Sequence, residues 1–129
     1  MTISQVRVSE KGRDQLIKLK RVTRLKQWNE LCRWALCASL AEPSIPPNVR
    51  IATDSSVEMD WTTFGGRQAA VYLALLQVRC MKDGLGTDSK VVAQQFRLHL
   101  HRGIGYLAAD KKSRDISAFF SKMLAEKVS

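Results

Sequence analysis

Apolar positions recur along this chain first at strand spacing and then at helical spacing. In residues 3–9 (ISQVRVS), Val6 and Val8 share one face, Gln5, Arg7 and Ser9 lie opposite, and Ile3 falls out of phase, which predicts a short strand. Ser9 can cap a helix over 10–22, in which Leu16, Leu19 and Thr23 return at helical spacing. A turn at 23–26 leads to a second helix over 27–41. Its apolar face collects Trp28, Leu31, Cys32, Ala35, Leu36 and Ser39, and Glu42-Pro43 ends it.

Residues 43–63 hold all 3 prolines and the acids Asp54, Glu58 and Asp60, the pattern of a long surface connection that could contain a hairpin. From Gly65-Gly66, read as a turn into a helix, a third helix runs to 82. Only Arg67, Gln68, Gln77, Arg79 and Lys82 interrupt its apolar surface, so a central position is expected. DGLG at 83–86 breaks it. Asp88 or Ser89 can cap a fourth helix over 90–102, which Gly103 and Gly105 are expected to end. A last amphipathic segment over 113–126 presents Ile116, Phe119, Phe120, Met123 and Leu124 on one side.

The expected fold class is therefore mainly α: a short N-terminal strand followed by a helical bundle in one domain over 1–129. Its parts are a basic strand-helix-helix unit (1–42), a connection (43–63), a helical core (64–112) and a C-terminal helix (113–129). The length of 129 residues suits one core, and 45% hydrophobic residues suit a folded chain. Residues 1–10 lack the features of a signal peptide, and the longest apolar run, 69–76, is far below the roughly 18 residues needed to span a bilayer. A cytoplasmic protein with no membrane partner is expected. The 3 cysteines, Cys32, Cys37 and Cys80, lie in apolar helical stretches and read as reduced core thiols.

Charge changes this picture most. A formal net charge of +9 and a pI of 9.9 attract polyanions, with nucleic acid as the default partner. On the first helix, spacing puts Lys11, Asp14, Lys18 and Arg21 on one line and Arg13, Lys20 and Arg24 on another, with Ile17 between. Arg7 before and Lys26 after extend a surface that only Glu10 and Asp14 offset. A charge run is often just a solvated face; the near-single sign favours phosphate contact.

Strand, basic helix, turn, helix is also the order of ribbon-helix-helix modules, in which strands from two chains pair. So short a strand needs a partner, and the second and third helices carry more apolar surface than one small globule hides. Both points predict a homo-oligomer. In such a module the free N–H groups at the start of the second helix, near Lys26 and Gln27, face phosphate.

No catalytic constellation can be assembled, and no metal or cofactor is expected. Cys32 and Cys37 are spaced so that they diverge on a helix, as do His99 and His101. His101, Arg97 and Arg102 could add to an anion-binding surface, although a solvated helix face is the plainer reading. Gly65-Gly66-Arg67 lacks any phosphate-loop pattern, and Asp54, Glu58 and Asp60 lack a metal or acid-base context.

Several strings carry a resemblance: LIKLK at 16–20, WNELCRWALCASLAE at 28–42, FGG at 64–66, DGLGTD at 83–88 and QQFRLHLHRGIGYLA at 94–108. In these the chain resembles the DndE family, small subunits of the bacterial DNA phosphorothioation system, in which sulfur replaces a non-bridging phosphate oxygen. The likeness covers most of the chain to about residue 109, and no match is placed beyond Lys111. It implies a helical homotetramer that binds double-stranded and nicked DNA through lysines of the first helix, here Lys18 and Lys20 with Arg21 and Lys26. Sulfur transfer would belong to partners: a cysteine desulfurase and DndC-type and DndD-type subunits.

The expected function is thus a non-catalytic DNA-binding subunit using Lys18, Lys20, Arg21, Arg24, Lys26, Arg13 and Arg7. The alternatives are a ribbon-helix-helix repressor or antitoxin that inserts Gln5, Arg7 and Ser9 into the major groove, and a scaffold whose basic face binds protein.

Overall fold

Residues 3–109 are described by the structure, a computed structural model. The helix expected at 113–126 lies outside them.

Strand β1 (Gln5–Arg7) buries Val6, and Val8 just beyond it is buried too. Ile3, out of phase with them, is nevertheless buried, because it precedes the ladder and is not bound to its alternation. Helix α1 (Glu10–Thr23) begins where expected: the Ser9 hydroxyl accepts the Gly12 N–H at 3.0 Å. Leu16 and Leu19 form its buried face. Arg24 ends it in the left-handed conformation, φ 62°, with its N–H on the Lys20 carbonyl. Helix α2 (Trp28–Leu40) buries Leu31, Cys32, Ala35, Leu36 and Ser39, the face that its spacing predicts.

The connection holds strand β2 (Glu58–Asp60) rather than a hairpin, and β2 pairs antiparallel with β1, Val6 opposite Met59. The first strand, expected to need a second chain, thus finds its partner in its own. Asp60 caps helix α3 (Trp61–Gly65) by accepting the Thr63 N–H at 2.8 Å. Gly65-Gly66 therefore ends one helix as well as turning into the next. Gly66 takes φ 57°, where a side chain would be strained, and a 3-10 turn (Gly66–Gln68) leads into helix α4 (Ala69–Lys82).

The central helix is α5 (Ser89–Ala108), which packs along α2 and also touches α1 and α4. Asp88 caps it, and it runs on through Gly103 and Gly105, which were expected to end it. The reason is a close crossing: a Cβ on Gly103 would overlap the Ala35 carbonyl of α2. α4, expected to be central, buries only Leu76, Arg79 and Cys80 and leaves Val71, Leu75, Val78 and Met81 in solvent.

Trp61, Phe64 and Phe96 lock α3 onto α5. The Trp61 and Phe64 rings stack at 5.0 Å, and Phe96 meets both edge-on at 5.3 Å. Each such pair adds about 0.5–1.5 kcal/mol beyond area burial. No described helix is long and apolar enough to cross a membrane.

Candidate nucleic-acid interface

Because Leu16 and Leu19 turn α1 inward, its basic residues are left at the surface or its margin. Lys11, Lys18 and Arg21 are exposed, and among the described residues none of them enters an ion pair. This line spans about 15 Å at the helical rise of 1.5 Å per residue. The second line is less free. Arg13 is half-buried and approaches the Asp14 carboxylate at 3.9 Å, while the half-buried Lys20 places Nζ 4.0 Å from the centre of the Trp28 ring. Its charge thereby rests on an aromatic face of α2.

Arg24 does not continue the helical line, because its left-handed backbone takes it out of the helix. It is exposed, as is Lys26. Thr23 fastens this turn: its hydroxyl donates to the Leu19 carbonyl at 2.7 Å and accepts the Leu25 N–H at 3.3 Å. Gln27 then opens α2 beside Lys26 without a side-chain cap hydrogen bond to the first-turn N–H groups. Arg7 stands apart from this cluster. It pairs with Glu58 across the β1–β2 ladder at 2.8 Å, which ties up one of the groups expected to meet DNA.

Other charged residues hold the scaffold that presents α1. His101 on α5 accepts the Ser9 N–H at Nε2, 3.0 Å, and donates from Nδ1 to the Arg97 carbonyl, 2.8 Å, so both nitrogens are used by a neutral ring. Burial, with the Arg97 charge, pushes its pKa down. Arg102 donates to the Ser39 hydroxyl and carbonyl and to Ser44, so it is engaged inward rather than facing solvent. Arg97 is exposed.

Sequence reasoning missed the role of Arg79. It donates to the carbonyls of Leu40, Glu42 and Ser44 at the end of α2 and pairs with Asp83 at 2.8 Å while nearly buried. An arginine inside an otherwise apolar helical surface was the available signal. The acids Asp54, Glu58 and Asp60 are likewise engaged, by the Glu10 N–H, Arg7 and the Thr63 N–H.

Among the described residues no group of three His, Cys, Asp or Glu side chains is placed to hold a metal. The three cysteines are free. Cys32 and Cys80 are buried as expected, and burial pushes the Cys32 thiol up to about 12, so it stays protonated. Cys37 is exposed, a correction that follows from the divergence of two positions five apart on one helix.

Among the solved structures that share this fold are two of DndE. One is the crystal structure of DndE from Escherichia coli B7A involved in DNA phosphorothioation modification. It is 22% identical, with a TM-score of 0.68, over 83% of this chain and 98% of that one. A mutant of DndE involved in DNA phosphorothioation matches over the same shares, at 20% identity and a TM-score of 0.63. At such identities the likeness speaks for the fold alone. No curated protein matches. The family model for DNA sulphur modification protein DndE matches residues 5–115, from the first strand through the whole of α5. The chain therefore belongs to the DndE family.

Proposed function

We propose that this protein is a DNA-binding subunit of the phosphorothioation assembly, without catalytic chemistry of its own, and that α1 is its DNA-contacting element. The observation that carries this reading is the outward line of α1, where Lys18 and Arg21 stand exposed without carboxylate partners, followed by Arg24 and Lys26 at its end. Such groups neutralise phosphates whatever the sequence, which suits a holder of duplex DNA, intact or nicked. Lys20 and Arg13 belong to the same surface at its half-buried margin.

Sulfur transfer falls to a cysteine desulfurase and to DndC-type and DndD-type subunits. The protein acts as a homo-oligomer, a tetramer in this reading. Support comes from α4, whose Val71, Leu75, Val78 and Met81 form one stripe at helical spacing and are 50%, 45%, 64% and 67% exposed. The pairing of β1 with β2 removes the need for a two-chain ribbon, and with it the main support for a ribbon-helix-helix repressor.

The test is binding of the purified protein to intact and nicked duplexes of unrelated sequence. Salt-sensitive binding that is indifferent to sequence, and stronger at a nick, is expected. Absence of binding would overturn the reading, and strong preference for one operator would replace it with the repressor.

A further inference from the structure

Basic residues outside α1 also gather on one side of the molecule. Arg50, in the connection, and Arg97, on α5, line the same hollow of about 280 Å3 together with Asn48 and Gln94. The Gln94 amide donates to the Asn48 side chain at 2.9 Å and fastens the connection to α5 at that point. Arg50 also lines an adjoining hollow of about 450 Å3, shared with Lys11 and Gln15 of α1. Arg97 lines a further one of about 270 Å3, shared with Arg7. The hollows thus form a row in which Arg50 and Arg97 are the shared members.

We propose that Arg50 and Arg97, with Lys11, form a second phosphate-binding track that carries a DNA duplex from the outward line of α1 across the connection onto α5. The proposal rests on the DNA-binding reading above and extends it to residues outside α1.

Both arginines are exposed, and among the described residues neither enters an ion pair. Of the carboxylates on this side, Glu58 holds Arg7 and Asp54 accepts the Glu10 N–H, which leaves the exposed Glu10 and Asp14 on α1 as the acids that offset the row. His101 and Arg102 line the larger hollow but bring little to a ligand, since the first is neutral with both nitrogens used and the second is bound to Ser39 and Ser44. The free positive charge is therefore that of Lys11, Arg50 and Arg97. These groups belong to three segments and lie in a row, so one carboxylate or small anion would meet them one at a time. A backbone with a charge at every step meets all of them, and Lys11 joins the row to Lys18 and Arg21, two and three steps further along the same face of α1, beyond Asp14.

The test compares R50A/R97A and R50K/R97K with the unaltered protein for binding an intact duplex over a range of salt, with K18A/K20A in parallel. All positions lie outside the buried core, and circular dichroism checks that each variant is folded. R50A/R97A is expected to weaken binding and to make the slope of log affinity against log salt shallower by roughly 2, and R50K/R97K to restore most of it. A folded R50A/R97A variant with unaltered affinity and slope overturns the track, whatever K18A/K20A does. Loss in R50A/R97A without loss in K18A/K20A supports the track and removes Lys18 and Lys20 from the interface. An unaltered protein that binds no duplex fails the DNA-binding reading itself. Retained duplex binding with lost binding of an acidic peptide reassigns these arginines to a protein partner and overturns the proposal.

Discussion

Lys20 holds its ammonium 4.0 Å from the centre of the Trp28 ring, so of the two lysines of the LIKLK string one is tied to the next helix and the other, Lys18, is exposed. The two should differ in what they do for the fold. K20A is expected to cost about 0.5–1 kcal/mol of stability, the worth of a cation–π contact that solvent still reaches. K18A should stay within about 0.5 kcal/mol of the unaltered protein, as surface substitutions do. Urea unfolding of the two variants measures this, and equal stabilities would dismiss the ring contact.

The crossing of α5 over α2 makes two helical glycines unequal. A Cβ on Gly103 would overlap the Ala35 backbone, whereas one on Gly105 meets nothing within 4 Å. G103A should therefore destabilise by about 3 kcal/mol or more, since backbone has to move apart. G105A should stabilise by about 0.5–1 kcal/mol, because alanine is the better helix former. Thermal unfolding separates the two, and a neutral G103A would place α5 further from α2 than the structure has it.

Acid should weaken the fold through His99. Burial, reinforced by Arg79 and Arg102, pushes its pKa down from 6.5 to about 4, and its Nδ1 lies 2.7 Å from the Ser39 hydroxyl. The unfolded chain then binds a proton that the folded chain refuses, so stability is full above about 6.5 and falls as pH drops towards about 4. His101, also held low, adds to the same slope. Unfolding free energy followed from pH 7 down should decline across this window, and H99Q should flatten the decline. An equally steep profile in H99Q would move the effect elsewhere.

The exposed stripe of α4 predicts where the assembly can be split. Val78 is 64% exposed and Leu75 45% exposed, so L75E/V78E places charges on that face without entering the core. Light scattering should give a smaller assembly than for the unaltered protein, with helicity by circular dichroism retained. A variant that keeps the original mass would clear α4 of any part in association.

Local signals were legible in the sequence, and long-range ones were not. Ser9 and Asp88 announced their helices because a cap acts on N–H groups within the same turn. The buried faces of α1 and α2 follow from spacing alone. Strand β2 was hidden because what makes Glu58–Asp60 a strand is its pairing with Gln5–Arg7, far away in the chain. Gly103 and Gly105 carried the mark of a helix end, yet Gly103 serves a contact with Ala35 that local pattern cannot show. α4 looked central because apolar composition says nothing of which neighbour covers it. In the candidate site the exposure of Lys18 and Arg21 was readable from helical spacing. The Lys20–Trp28 contact and the left-handed Arg24 depend on how the turn at 23–26 lays α2 beside α1.

The central claim is that α1 meets the phosphate backbone, and the salt dependence of duplex binding by the K18A/K20A variant tests it most directly. If each lysine neutralises about one phosphate, the slope of log affinity against log salt should become shallower by roughly 2, with similar losses on duplexes of unrelated sequence. A folded double variant that binds duplex DNA with unaltered affinity and unaltered salt slope would contradict the account.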